Sequence, residues 1–311
     1  MKHLFIVNPA AGGRDSTDDV IQTVARAFTG RREDFEVYST KGPMDAPQKI
    51  RFEADLCDAL RVYACGGDGT LNECVCGAVG LENVAVTHFP TGTGNDFIKV
   101  FGAERERFRS IDDLLDGEVH KLDVIDCNGR PSINICSVGI DARIGTDIHK
   151  YSKIPVIGGA TGYVVSTAVN VVKGVARELR VSCGGKLYYG KMTLICACNG
   201  SHYGGGFNPV PEARPDDGAL DFLIVKEVSR LAFAAIVASY AKGKYANYPK
   251  YITHVRGDSM EIDSPAELVV NVDGEAIYAK HVSLKLLPKA VNFLVPAGLS
   301  YFSEAKQEAF V

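Results

Sequence analysis

The chain has no tryptophan and no uninterrupted apolar run near the roughly 20 residues that cross a bilayer as a helix; its best candidate, Leu231 to Ala241, is too short. The first residues already read as a strand and a turn, with no basic segment, apolar h-region or small-residue cleavage site, so secretion is not expected. An excess of either charge is lacking as well. Lys and Arg number 34 against 38 Asp and Glu, and the net charge of −4 provides no global positive field for nucleic acid or anionic membranes. No basic stripe or reading helix is evident, which argues against DNA binding. The nine cysteines are an odd count scattered through apolar runs, and neither Cys74-x-Cys76 nor Cys196-x-Cys198 has a partner at zinc spacing, so they read as buried reduced thiols. Together these absences point to the cytoplasm. Two common nucleotide fingerprints are also missing: there is no Gly-x-x-x-x-Gly-Lys-Ser/Thr, and the glycines near the first strand do not spell Gly-x-Gly-x-x-Gly.

What is present is a dense block at residues 66–73, Gly66-Gly67-Asp68-Gly69-Thr70-Leu71-Asn72-Glu73, directly behind the apolar run Arg61 to Cys65. That run reads as a short buried strand, and Leu71 to Ala78 can start a helix, so backbone N–H groups at the turn can converge on an anion. Glycine lets a phosphate approach the main chain with no Cβ in the way. Asp68 has two readings, a magnesium or metal-water ligand and a loop cap. Strand-like His3 to Val7 runs into Asn8-Pro9-Ala10-Ala11-Gly12-Gly13, after which Ser16 or Thr17 caps a helix to about Phe28. A third apolar stretch, Val84 to Phe89, delivers Pro90-Thr91-Gly92-Thr93-Gly94-Asn95-Asp96 before a helical start at Phe97. Three polar turns at successive strand ends lie along one edge of a parallel sheet, where α/β folds bind ligands.

The order of these blocks resembles the diacylglycerol kinase catalytic family, including bacterial soluble lipid kinases and sphingosine-kinase-like enzymes. The resemblance rests on Asn8-Pro9-x-x-Gly12, Gly66 to Glu73 and Pro90 to Asp96. Later blocks agree in order and spacing: Asn199-Gly200, Gly204 to Gly206, Pro211-Glu212-Ala213, Asp217 to Asp221, and Asp273-Gly274-Glu275. It covers nearly the whole chain. One departure is Ser137 to Ala142, where similar enzymes usually carry another glycine and a phenylalanine.

Organisation changes near residues 122–134. Before it, apolar runs alternate with helical patterns; after it, short apolar or alternating strands dominate, as in an antiparallel sandwich. These strands are Leu122–Cys127, Ser132–Ser137, Leu179–Cys183, Lys186–Gly190, Met192–Cys198, Leu220–Val225, Met260–Ile262, Leu268–Val272 and His281–Leu287, with helices expected at Thr161–Val175 and Ser229–Lys242. The expected fold is α/β plus all-β: a doubly wound α/β nucleotide domain (residues 1–124 plus 290–311) and an antiparallel β-sandwich domain for the lipid acceptor (125–289). The return of Ala290 to Phe310 to the first domain, and an active site in the inter-domain cleft, are implied by the resemblance.

The resemblance implies ATP held by Asn8, Pro9, Gly12, Thr40, Gly66, Gly67, Asp68, Gly69, Thr70, Leu71, Asn72 and Thr93, with Mg²⁺ bridging phosphates and Asp68 its acidic partner. It implies catalytic roles for Glu275, Asp273 and Asp68. Glu275 is the favoured proton acceptor and Asp273 its support, although the two roles are interchangeable at this level and Asp273-Gly274 is equally a type I′ hairpin signal. It also places a structural magnesium at Asp217 with the carbonyls of Arg214 and Ala219, where Pro215 and Gly218 alone already account for a turn. Leu231 to Val237 has the spacing of a core-facing helix. Tyr240, Lys242, Lys244, Tyr245, Tyr248, Lys250, Tyr251 and Arg256 interleave rings and cations, either as a peripheral membrane contact or as a solvated connection. The function so implied is an ATP-dependent lipid kinase acting most readily on diacylglycerol. Sphingoid base, ceramide or phosphatidylglycerol as acceptor, an NAD kinase-like activity and a catalytically silent binder are the alternatives. Hydrophobic edge strands permit a homodimer.

Overall fold

The computed structural model describes residues 1–10, 15–139 and 176–303, with the side chains of Arg230, Leu231 and Ala234 excepted. Gly12, Ile140 to Ala142, the expected helix Thr161–Val175 and the chain beyond Ser303 lie outside the described residues. Two compact units form, one from Met1–Leu122 with the segment from Lys289, the other from Asp123–Pro288.

In the first unit, β1 (Lys2–Val7), β2 (Asp34–Ser39), β3 (Leu60–Gly66) and β4 (Val84–Pro90) alternate with α1 (Thr17–Ala27), α2 (Asp45–Ala54) and α3 (Asp68–Ala78). These four strands pair in parallel in the order β2-β1-β3-β4, and Asn292 and Phe293 of the returning chain add a parallel rung beside β4. Parallel strands covered by helices read as unbroken apolar runs; Leu4 to Val7 and Val62 to Cys65 are fully buried, with the Phe5 and Tyr63 rings stacked at 4.2 Å. The α1 start differs from its expected capping. Ser16 sits at the N-cap position but its hydroxyl caps nothing; Asp15 accepts from the Thr17 amide instead, at 2.9 Å. After β4, a 3₁₀ run kinked at Gly102 spans Phe97–Arg109 and leads to α4 (Ile111–Leu115).

The second unit is antiparallel. Its strands are the distal part of β5 (Glu118–Cys127), β6 (Arg130–Ser132), β7 (Ile135–Gly139), β8 (Arg177–Cys183), β9 (Lys186–Cys198), β10 (Leu220–Lys226), β11 (Ile252–Gly257), β12 (Ser259–Val272) and the first part of β13 (Glu275–Val295), with α5 (Arg230–Tyr240) before β11. The long strands β9 and β12 each pair with β7 towards one end and β8 towards the other. One sheet face buries Val138, Ile195, Phe222, Val270 and their neighbours. The other buries Ile135, Cys196, Leu223 and Ile252 beneath Ile236 and Tyr240 of α5. In β7, β10 and the second half of β9 alternate residues thus serve two cores, which is why these stretches lack a polar face. The expected strand over Ser132–Ser137 is two strands, split where Ile133 and Asn134 turn onto Asp273. The two expected over Lys186–Gly190 and Met192–Cys198 are one, because β8 pairs with β9 through Gly190 as far as Met192 and β7 takes over from Leu194.

Candidate active site

Strand register brings four turns to one level. Val7 lies opposite both Ser39 and Cys65, and Cys65 opposite Phe89, so Asn8, Thr40, Gly66 and Pro90 follow at the carboxyl edge of the sheet. Strand order reverses between β1 and β3, the switch point at which loops diverge and leave a crevice. Main-chain bonds fix these exits: Thr40 N–H donates to the Val7 carbonyl at 2.9 Å, Asn8 N–H to Cys65 at 3.4 Å, and Thr91 and Gly92 N–H to Gly66 at 3.0 and 3.1 Å. Asn8 closes its own turn by accepting from Ala10 N–H at 3.0 Å. Pro9 is half-buried beside it and Thr93 is exposed on its loop.

The Gly66 and Pro90 loops are fitted to each other. A Cβ added at Gly92 would sit 2.6 Å from the Gly67 Cα, closer than any side chain tolerates. Helix α3 begins at this junction with Gly67 at its N-cap and no side chain capping it, so its first amides and the positive end of its dipole face the turn. Gly69 is exposed, while Thr70, Leu71 and Asn72 are buried in the first turns. The structure therefore fits a phosphate: glycine main chain, an open helix N-terminus and a position at the switch point. Asp68 takes on the capping role through Oδ1, which accepts from Asp96 N–H at 2.6 Å and Phe97 N–H at 3.2 Å and so ties the α3 start to the next helical run. His88, overlooked in the sequence, lies fully buried beneath. Its Nε2 is 3.0 Å from the Gly66 carbonyl, and desolvation lowers its pKa to about 4, leaving a neutral ring that donates to that carbonyl.

In the second unit the acidic pair separates into two environments. Asp273 and Gly274 form the two-residue turn between β12 and β13, both with positive φ, as a type I′ hairpin demands. The Asp273 carboxylate is wrapped by the Ser132 hydroxyl at 2.6 Å, Ile133 N–H at 2.8 Å, Ile135 N–H at 2.9 Å and Asn134 N–H at 3.2 Å. Glu275, the first residue of β13, is exposed. One carboxylate is thus a fixed anchor and the other is available to solvent.

At the third acidic site, Asp217 accepts from Ala219 N–H at 3.1 Å and pairs with the Arg256 guanidinium. Burial holds its carboxyl above the ordinary range, against the pull of Arg256. A magnesium ion here would have to compete with Arg256 for the carboxylate, and Arg214 directs its guanidinium to Asp216. Among the described residues no group of three His, Cys, Asp or Glu side chains is placed to hold a metal. Asp123, also overlooked, is buried under this loop; its Oδ2 accepts from Gly218 N–H at 2.8 Å and its N–H donates to Pro215. The available signal was a carboxylate set between Leu122 and Val124 in the largely apolar run to Cys127, which also carries Asp126.

The diacylglycerol kinase catalytic domain family matches residues 2–127, and the YegS C-terminal NAD kinase beta sandwich-like domain matches residues 134–295. A diacylglycerol kinase of Bacillus subtilis (strain 168) is 25% identical over 277 residues, 88% of this chain and 90% of that protein. The crystal structure of a diacylglycerol kinase from Bacillus anthracis str. Sterne shares the fold, with a TM-score of 0.69 over 96% of this chain and 98% of that one at 24% identity. An alternating β/α domain followed by a β-rich sandwich-like domain agrees with both matches. This chain belongs to the family of lipid kinases, ATP-using enzymes that carry a diacylglycerol kinase catalytic domain followed by a YegS-type C-terminal domain.

Proposed function

We propose that the protein transfers the γ-phosphate of ATP to the free hydroxyl of diacylglycerol, giving phosphatidic acid and ADP, with Mg²⁺ accompanying the nucleotide. The observation that carries this reading is the uncapped α3 N-terminus at the fitted Gly67 and Gly92 loops. The turns at Asn8, Thr40, Gly66 to Asn72 and Thr93 hold the nucleotide, with main-chain N–H groups directed to its phosphates. Asp68 is the carboxylate suited to magnesium or its waters, and the ion when bound neutralises charge on the phosphate oxygens. Glu275 accepts the hydroxyl proton as the lipid oxygen bonds to phosphorus and the bond to the ADP oxygen breaks. Asp273 holds the hairpin that presents Glu275.

Glu275→Gln preserves shape and removes the base. It is expected to lower transfer by roughly 10²–10⁴-fold while ATP binding, followed by calorimetry, is kept. Near-normal turnover in the purified variant would defeat the assignment.

A further inference from the structure

Between Glu227 and Asp258 the chain contains no carboxylate, yet it carries Arg230, Lys242, Lys244, Lys250 and Arg256 in a protein of net charge −4. Arg256 is spent on Asp217. Lys242, Lys244 and Lys250 are exposed and make no ion pair among the described residues. Three of the rings interleaved with them face the other way, and the fourth, Tyr251, packs against the core with Lys250 Nζ 5.5 Å from its centroid. Tyr240 is buried, with its hydroxyl 3.2 Å from that of Tyr203. Tyr248 reaches the Ser239 hydroxyl at 3.2 Å, and Tyr245 bonds to Glu212 and lies 3.3 Å from His254 Nδ1. His254 in turn contacts the buried Asp221 at 2.7 Å. Gly243, at positive φ, presses on Pro211 so closely that a Cβ would meet its ring at 2.2 Å, and Asn208 N–H donates to the Ala241 carbonyl at 3.0 Å. The tyrosines therefore act as fasteners rather than as an aromatic membrane face, and the lysines stand on a braced base.

We infer that Lys242, Lys244 and Lys250 form an electrostatic docking surface for an anionic phospholipid bilayer. The chemistry is that of cations without counter-charge on a segment that folding holds in place, so little order is lost on docking. Each basic group near such a surface contributes on the order of a fivefold gain in partitioning, and three together on the order of 100-fold. The choice of a bilayer over another polyanion rests on the proposed lipid-kinase reading, since the acceptor of such an enzyme resides in one. Aromatic insertion is not part of it, because the rings are turned inward.

The test is co-sedimentation of the full chain, without nucleotide, with phosphatidylcholine vesicles containing or lacking phosphatidylglycerol. The triple variant K242E/K244E/K250E and its Gln counterpart are compared after thermal melts establish that they fold. Wild type should bind only the phosphatidylglycerol vesicles, weaken as salt rises, and lose on the order of 100-fold in the Gln variant and more than that in the Glu variant. Turnover on detergent-dispersed acceptor should stay unchanged. Equal binding of wild type and both variants, or wild-type binding to phosphatidylcholine alone, overturns the surface; so does binding of a single-stranded oligonucleotide as tight as that of the anionic vesicles. Charge-dependent vesicle binding in a protein that phosphorylates no lipid would uphold the surface while sinking the kinase reading, so the two can fail separately.

Discussion

Asp273 and Glu275 stand two residues apart on one hairpin, yet they do opposite work. Asp273 gathers three main-chain N–H groups and a hydroxyl; Asp273→Ala leaves those donors without their acceptor and should cost about 2–4 kcal/mol, since charge-assisted bonds are lost and part-buried groups are stranded. Glu275→Gln should leave the melting curve in place and remove activity. A thermal melt in which the two variants behave alike would contradict the division. His88 gives a second residue-level expectation. Its ring is neutral when folded, with a pKa near 4 against 6.5 when free, so below pH 6.5 the unfolded chain takes up the proton first. The stability supplied by the neutral ring is complete above about pH 6.5 and drains away as pH falls towards 4, by about 3 kcal/mol at the limit. His88→Gln keeps a donor for Gly66 without titrating and should flatten that part of the pH–stability curve measured by urea unfolding; an unchanged slope would count against the buried neutral ring.

Among the elements, the polar turns at the strand ends are the part most legible in the sequence, because glycine, asparagine and hydroxyl residues after an apolar run mark where a strand stops and a turn or cap begins. The fit between two of those turns was not legible: that Gly92 answers to Gly67 depends on β3 and β4 being neighbours in register. Gly92→Ala should therefore part the two loops and weaken ATP binding at least tenfold by calorimetry, since a misplaced cradle loses aligned contacts, while far-ultraviolet circular dichroism stays as in wild type. Undiminished ATP affinity would show that the loops do not form the cradle. The edge elements were the hardest to read. β2 has no buried residue to set an alternating pattern, and α2 carries Pro47 in its first turn, where proline is tolerated but looks like a break. Besides the β1 ladder and the buried face of α2, a ring of charges joins them, Lys2 and Lys49 each bonded to Glu36 and Glu53 within 2.7 Å, which only the fold brings together. The mixed burial of β12 likewise hid one strand as two, with an irregularity between Asp263 and Leu268 interrupting its pairing.

For the whole molecule, the change from alternating β/α to short strands marked two kinds of architecture in the sequence, and the structure assigns them to separate units with the chain returning to the first from Lys289. The sequence carried less about which carboxylates act and which brace. Asp273 and Asp217 each sit in a turn acidic enough to suggest a metal or a base and Asp123 lies within β5, and their partners lie up to 141 residues away. No helix among the described residues is long and apolar enough to cross a membrane. The most direct measurement is transfer of labelled γ-phosphate from ATP to a panel of diacylglycerol, sphingoid base, ceramide, phosphatidylglycerol and NAD, with Glu275→Gln alongside. Label entering diacylglycerol with wild type and lost in the variant is the predicted result; label entering NAD alone, or no acceptor despite ATP binding, would contradict the account.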